Sequence, residues 1–422
     1  MTDPVSAGSG GGVAAPPRDR TRHEVVGKSV ARVDSRAKVT GAAKYSTDFY
    51  LQDMLHAKVL FSDRPRARIV SIDISRAEAL PGVAAVVTGD DTPDHRYGLY
   101  VRDRTILAKD EVRYAGEHVA AVAAVSERIA EDAVGLIEVV YEDLTPIFDT
   151  DIALADDADR LHPDVAAYGA AFPYVRYGNV CMETELERGD VAAAMATADV
   201  VVGETYLTSA INQAAIEPHA CVAGFDHRGR LTVWTATQQL SVCHSQLSMA
   251  LGSPMTQIRV IPLEVGGGFG GKLHTNLEPL CALLAHKTGR SVRLAMTREE
   301  EFFAAKARPP YSIRIELGAT ADGILVAGAV DIVADVGAYA DNAVGTATHA
   351  LGSADGVYRF PALKARSRAV YTNNPDYGCM RGYGTYQMTF ALERHMDALA
   401  RSLGMDPAVL RMKNLIADGD PL

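Results

Sequence analysis

The sequence predicts an α/β (α+β) fold of two or three domains, and three observations carry that reading. Short apolar runs of strand character alternate with segments whose apolar residues recur at helical spacing. Two glycine-rich stretches, residues 265–272 and 379–387, each stand between a strand-like run and a helical one. A chain of 422 residues exceeds what one hydrophobic core usually serves, and 48% apolar residues supply ample interior.

Taken in order, residues 1–25 are rich in Gly, Ser, Ala, Pro and charge, lack an apolar core, and read as a disordered tail rather than a signal peptide. Residues 55–61 and 67–74 are strands; Ser75-x-x-Glu78 is a capping box for a short helix that Pro81-Gly82 stops, and 83–87 is a third strand. Strand 118–125 leads to a helix capped by Ser126, with Ile129, Ala133 and Ile137 on one stripe, and then to strand 138–141. His118, beside an Ala/Val run, reads as a core or edge histidine rather than a ligand. This first domain spans 26–146. The acidic, poorly periodic stretch 147–190 is read as an interdomain connection, and the second domain spans 191–422.

That second domain opens with a short helix capped by Asp190, then strand 200–207 and a hairpin of strands 221–225 and 231–237. Thr237-Gln238-Gln239 ends the hairpin and enters a helix reaching Leu251-Gly252. An amide at a strand's C-terminal end can face a ligand crevice or merely cap a helix. Glu217, beside Pro218, reads as structural. Strand 258–265 runs into the first glycine stretch, and Asn276 is placed to cap the helix that ends at Gly289. Glu299-Glu300-Glu301 reads as a solvated helix start. Strands 312–317 and 324–336 form a hairpin, and strand 363–371 precedes Thr372-Asn373-Asn374-Pro375, which breaks regular structure. The second glycine stretch enters a helix striped by Met388, Leu392, Leu399 and Leu403, and Asp406-Pro407 opens a last one.

Composition removes several function classes. Lysine and arginine number 42 against 53 acids, a net charge of −11, without a basic run interleaved with aromatics, so nucleic acid is not the expected partner. Five scattered cysteines without C-x-x-C build neither a zinc knuckle nor a local iron–sulfur cluster, and dispersed thiols fit a reducing cytoplasm. No run of eighteen apolar residues suggests a membrane span. No G-x-S-x-G elbow or H-x-x-x-H pair occurs, and Lys272 is followed by Leu273 instead of the Ser or Thr of a Walker loop.

The first glycine stretch places five glycines in six positions, Gly266 to Gly271, around Phe269. Such a loop admits a ligand to the main chain, or is a purely structural turn. Gly266-x-Gly268-x-x-Gly271 meets the dinucleotide fingerprint, but the ribose-binding acid is displaced beyond its usual spacing.

Residues 265–272, the Thr237-Gln238 turn before them and Arg381-Gly-Tyr-Gly-Thr-Tyr-Gln387 after them resemble, in that order, the molybdopterin-binding subunit of the xanthine dehydrogenase and aldehyde oxidase family. Residues 27–34 and 38–45 resemble that family's opening a/b hammerhead segment, and the resemblance extends from about residue 26 to 420. It implies a hammerhead domain followed by the first half of a molybdopterin-binding domain, closely resembling the large molybdopterin subunit of split nicotinate dehydrogenases. By that resemblance Gln238 is the catalytic residue, hydrogen-bonding a terminal oxygen of the molybdenum. Gly268, Phe269, Gly270, Arg381 and Gly382 hold the cofactor, with Phe269 and Gly270 offering backbone N–H groups and Arg381 its backbone; Gln238, Phe269 and Arg381 form the metal's surroundings. On the substrate side stand Leu273, where purine-oxidising members carry a glutamate; Tyr383; and His349, where several members carry an arginine and where a surface histidine is the alternative. Gly382 occupies the place of the copper-bridging cysteine of carbon monoxide dehydrogenases.

The implied reaction is hydroxylation of an N-heterocycle or an aldehyde, with water as the oxygen source and molybdenum-molybdopterin as cofactor, in its plain or its cytosine dinucleotide form. The general-base glutamate and the rest of the pterin pocket are then expected on a medium molybdopterin subunit, with a [2Fe-2S] subunit and an FAD subunit as electron carriers; a truncated chain is the alternative. Two rivals remain: an NAD-dependent dehydrogenase using the Gly266–Gly271 loop for pyrophosphate, and a noncatalytic assembly subunit.

Overall fold

A computed structural model describes residues 25–420, which divide into two units between Lys44 and Tyr45. All of the expected tail but Val25 lies outside the described residues. In the first unit the helix Ser35–Val39 is held at its start by Asp34, whose carboxylate pairs with Arg32 and Lys38 at 2.7 Å each.

The second unit is built on three sheets. A seven-stranded sheet has the order Ile258–Pro262, Leu231–Thr235, Ala220–Phe225, Val292–Ala295, Leu55–Phe61, His118–Ala124, Val83–Thr88. The strand His118–Ala124 is buried at every position, which explains why its Ala/Val run shows no polar alternation. The helix Glu278–Thr288 is buried from Glu278 to Ala285 and supplies Leu280, Cys281 and Leu284 to that core.

This sheet joins strands from distant parts of the chain, since Leu55–Phe61 runs parallel to Val292–Ala295. The boundary expected at residue 146 is therefore not a boundary of the sheet. Local apolar patterning tells which runs are strands, not which runs pair.

The six-stranded sheet has the order Val175–Tyr177, Val180–Arg188, Ala362–Tyr371, Leu325–Gly337, Tyr311–Ala319, Val200–Leu207. Its two central strands are parallel and are linked through the helix Ala343–Leu351. That helix and Thr385–Leu403 bury Val344, Ala347, Met388, Leu392 and Leu399 in one core with the sheet. The third sheet, Glu111–Val112, Ala67–Asp73 and Glu138–Asp143, is small.

Four expectations need correction. The stretch 147–190 contains two strands of the six-stranded sheet, Val175–Tyr177 and Val180–Arg188; in the second, Val180, Cys181 and Met182 are buried, and Glu183, Glu185 and Glu187 alternate along the rest, Glu187 pairing with Lys364 at 3.1 Å. Charge on every second residue was a period-two signal hidden by the acidic composition. Ser75 does not cap; it lies inside its helix, and Asp73 accepts its backbone N–H. Asn276 does not cap either, because the Glu278 carboxylate accepts the Asn276 N–H from within the first turn. The first glycine loop does not open directly into a helix, since turns fill the chain between Gly271 and Glu278. The second loop does, with Gly384 as the residue before Thr385–Leu403.

Candidate functional site

Two parallel neighbours, Leu231–Thr235 and Ile258–Pro262, end side by side, with Thr235 opposite Pro262. Gln238 follows the first strand and the Gly266–Gly271 loop follows the second, so both emerge at the carboxyl ends of parallel strands, where open sheets commonly form ligand crevices. The second glycine loop arrives from the six-stranded sheet and joins the first there: Arg381 N–H donates to Phe269 O at 2.9 Å.

The contact between the loops depends on absent side chains. A Cβ on Gly270, which sits at φ +105°, would lie 2.6 Å from Cys379 O and 2.7 Å from its Sγ. Gln213 Nε2 donates to the same Cys379 carbonyl at 2.7 Å, and burial pushes the Cys379 thiol up to about 11, so it is a packing group here. A Cβ on Gly382 would strike the Tyr386 ring at 2.6 Å. Phe269 and Tyr383, each between two glycines, hold left-handed backbone at φ 50° and 49°.

Gln238 is fixed by the loop it faces. Its Oε1 accepts Gly270 N–H at 3.0 Å and Lys272 N–H at 3.2 Å, and its own N–H donates to Lys272 O at 2.8 Å. With the carbonyl end occupied, the amide NH2 is turned away from the loop and has no acceptor among the described residues; Gln238 itself is exposed. Phe269 N–H likewise has no acceptor among them. Two donors of the chain thus remain open, one on the first glycine loop and one on the side chain bonded to it. The expectation that Gly270 N–H and the Arg381 backbone also face a ligand is corrected: the first is engaged by Gln238, the Arg381 N–H by Phe269, and the Arg381 carbonyl by the Arg308 guanidinium.

Beneath the loop, Glu217 acts as a clamp. Its carboxylate accepts Gly266 N–H and the Lys272 ammonium at 2.7 Å each and Ser46 N–H at 3.1 Å, and both members of the ion pair are buried. Its structural reading stands, with the addition that the structure it holds is the glycine loop.

Of the three substrate-side residues, two meet. The exposed His349 ring stands edge-on to Tyr383 at 4.7 Å between centroids. The Tyr383 hydroxyl is held by Tyr100 at 3.0 Å and by Asn342, and Gly345 leaves room for both tyrosines on its helix. Burial and Tyr100 push the Tyr383 phenol upward, so it acts as a neutral hydrogen-bonding group. Leu273, half-buried, belongs to the first loop's side, directly after the clamped Lys272. His118 is a core histidine pushed down to about 3 by burial, though its Nε2 lacks a partner among the described residues.

Sequence reasoning missed Gln213, His219 and Glu301. His219 and Glu301 form a buried pair at 2.9 Å directly under the loop, so the reading of Glu299-Glu300-Glu301 as wholly solvated fails at its third member. Glu300 does serve the helix start, in a capping box with Thr297. The one available signal was the adjacency Glu217-Pro218-His219, two chemistry-bearing residues around a rigid proline; Gln213 carried none.

Residues 174–415 match the family description "Molybdopterin cofactor-binding domain", and residues 40–145 match "Aldehyde oxidase and xanthine dehydrogenase, a/b hammerhead domain". The chain is 37% identical over 393 residues to the nicotinate dehydrogenase large molybdopterin subunit of Eubacterium barkeri, covering 93% of this chain and 89% of that one. It is 39% identical over 388 residues to a probable xanthine dehydrogenase subunit of Bacillus subtilis, covering 92% of this chain but 50% of that one. Among solved structures, the aldehyde oxidoreductase of Desulfovibrio gigas superposes with a TM-score of 0.85 at 29% identity, over 92% of this chain and 43% of that one. The chain therefore spans nearly all of one relative and about half the length of others.

Proposed function

Since the chain belongs to the molybdopterin-binding subunits of the xanthine dehydrogenase and aldehyde oxidase family, we propose that it is the cofactor-gripping half of a molybdenum hydroxylase acting on an N-heterocycle or an aldehyde. The observation that carries this reading is the pair of open donors, Gln238 NH2 and Phe269 N–H, on two segments that the Gln238–Gly270 hydrogen bond joins, with the second glycine loop bonded to the first at Phe269. A bare metal ion finds no group of three or more His, Cys, Asp or Glu among the described residues, so a metal here would arrive on an organic carrier. Fixed neutral donors fit the oxygen-rich periphery of such a carrier, and the positions where Cβ atoms are missing let it approach the main chain.

When bound, the molybdenum cofactor supplies the two-electron redox chemistry of hydroxylation. The chain's own contribution is positioning. Gln238 presents a donor whose direction is set by two loop N–H groups, Phe269 adds a backbone donor at a conformation few residues adopt, and Gly268 keeps the Gln238 amide uncrowded. Arg381, with its backbone engaged, offers an exposed guanidinium instead. His349 and Tyr383 form an aromatic edge on the second loop's side, suited to a flat substrate.

The expected general-base glutamate belongs, in this reading, to a second molybdopterin-binding polypeptide, with [2Fe-2S] and FAD subunits carrying electrons onward. The 37% identity to the Eubacterium barkeri protein, itself named a large molybdopterin subunit, supports this reading. Purification of the protein with its native partners from a molybdate-fed host tests the proposal. Molybdenum near one per chain, with substrate-dependent dye reduction, is expected; bound NAD with no molybdenum would sink it.

A further inference from the structure

His219 closes a chain of contacts that ends on Gln238. Its Nδ1 lies 2.9 Å from both oxygens of Glu301, and its Nε2 lies 3.1 Å from the carbonyl oxygen of Gly271. The Gly271 carbonyl is an acceptor, as is the Glu301 carboxylate, whose pKa lies below its usual value, so with Glu301 ionised both contacts are hydrogen bonds only when both ring nitrogens carry a proton. The ring cannot turn away from this choice, because Glu301 also accepts the His219 backbone N–H at 2.9 Å and both residues are buried.

We infer that His219 is an imidazolium, neutralised by Glu301, and that it positions Gln238 through the single peptide joining Gly271 to Lys272. A trans peptide carries its C=O and N–H on opposite edges of one rigid plane. His219 grips the Gly271 C=O; the N–H of the same plane is the one that Gln238 Oε1 accepts at 3.2 Å. Gln238 N–H returns to Lys272 O at 2.8 Å, which closes the loop of contacts. A neutral ring with its lone pair aimed at the Gly271 oxygen would push that plane away and release the acceptor that orients the Gln238 amide.

The surrounding charges are compatible with a buried cation. Glu301 reaches His219 from the start of the helix Arg298–Phe303. On the loop side the Lys272 ammonium is matched by Glu217. His274, the other ring nearby, is held neutral by its burial and by the charge of Lys306, so it adds no opposing charge. Glu301 alone therefore answers His219.

The consequence for catalysis rests on the reading of Gln238 given above; the protonation itself does not. Nitrogen-15 NMR of histidine-labelled full-length protein, in the complex in which it is isolated, is expected to find two ring N–H groups on His219 at pH 7, assigned by their loss in His219→Gln. Glu301→Gln is expected to leave one ring N–H, on Nε2, whereas His219→Phe, which removes the donor to the Gly271 carbonyl, is expected to speed hydrogen exchange of the Gly270 and Lys272 amides by about five- to tenfold, the effect of one lost hydrogen bond of ordinary strength. A singly protonated His219 in the wild-type protein overturns the inference without any variant. Unchanged amide exchange in a folded His219→Phe overturns the positioning role. Absence of molybdenum would remove the hydroxylase reading and leave the ring measurement standing, so the two failures are distinguishable.

Discussion

Replacing Gly268 by alanine isolates the orientation of Gln238 from every other feature of the site. Gly268 is not in left-handed backbone, so alanine can take its conformation. The added Cβ would lie 2.4 Å from Gln238 Oε1 and 2.7 Å from Cδ, and ordinary contact begins near 3.4 Å. The amide must therefore retreat by roughly 1 Å, which an exposed side chain can do at little cost to the fold. In retreating it gives up the hydrogen bonds from Gly270 and Lys272 N–H. At about 0.5–1.5 kcal/mol each, and toward the lower end for an exposed acceptor, the loss of stability should stay near 1–2 kcal/mol. The catalytic loss should be much larger, because removing one aimed donor of this kind typically costs about 10²–10³ in turnover. The assay compares wild type and Gly268→Ala at matched molybdenum content, with thermal unfolding as the control for folding. A variant that keeps its molybdenum and turns over within about threefold of wild type would refute the role of the Gln238 amide.

Four further outcomes follow from the same geometry. Gln238→Glu keeps an acceptor for both loop N–H groups but has no outward donor, so unfolding should be nearly unchanged while turnover falls by about 10²–10³, read as initial rates per molybdenum. Gly270→Ala forces a Cβ against the Cys379 carbonyl at a φ of +105°; it should lower stability by about 2 kcal/mol or more in urea denaturation and release the cofactor on gel filtration. Glu217→Gln leaves the buried Lys272 ammonium without its counter-charge and should cost about 3 kcal/mol, again by urea midpoint, with turnover lost in parallel. For Glu301, burial by itself would raise the carboxyl, but the hydrogen bond and charge of His219 outweigh it and hold it below its usual 4.5. A depressed carboxyl stabilises the fold fully above its unfolded value and loses that contribution as pH falls through the folded one. Stability should therefore decline on acidification below about 4.5, and Glu301→Gln should flatten that limb of a pH-resolved melting series.

Much of the fold was legible because its elements are locally declared. Ser126, Asp190 and Asp406 each stand one residue before a helix, and each accepts the backbone bond its position predicts. Gly252, Gly289 and Gly404 close helices in left-handed conformation. What failed were inferences that depend on distant neighbours. Ser75 had the residue spacing of a cap, yet it lies inside its helix and gives its own N–H to Asp73. Glu301 looked solvated within an acidic run because its partner, His219, lies on a separate element of the chain. The pairing of Leu55–Phe61 with Val292–Ala295 was invisible for the same reason. At the site, the glycine loops and Gln238 were legible from chemistry that only glycine or an amide supplies, whereas Glu217 was recognised as structural without any hint of what it holds.

The two loops share a design that neither would keep alone. Each sets one aromatic residue in left-handed backbone between two glycines, Phe269 at φ 50° and Tyr383 at φ 49°. For a residue with a Cβ that conformation costs about 1–2 kcal/mol, so an isolated loop would tend to relax. Here each loop is held by the other: Phe269 O receives Arg381 N–H, Gly270 packs on the Cys379 carbonyl, and Tyr383 is tethered through Tyr100 and Asn342 to the helix Ala343–Leu351. Strain of that kind persists only where the surroundings over-determine it. The union of two sheets at this point is therefore what keeps Phe269 N–H and the Gln238 amide aimed without a ligand to hold them, and a donor aimed in advance has no reorganisation left to undergo when charge develops in front of it.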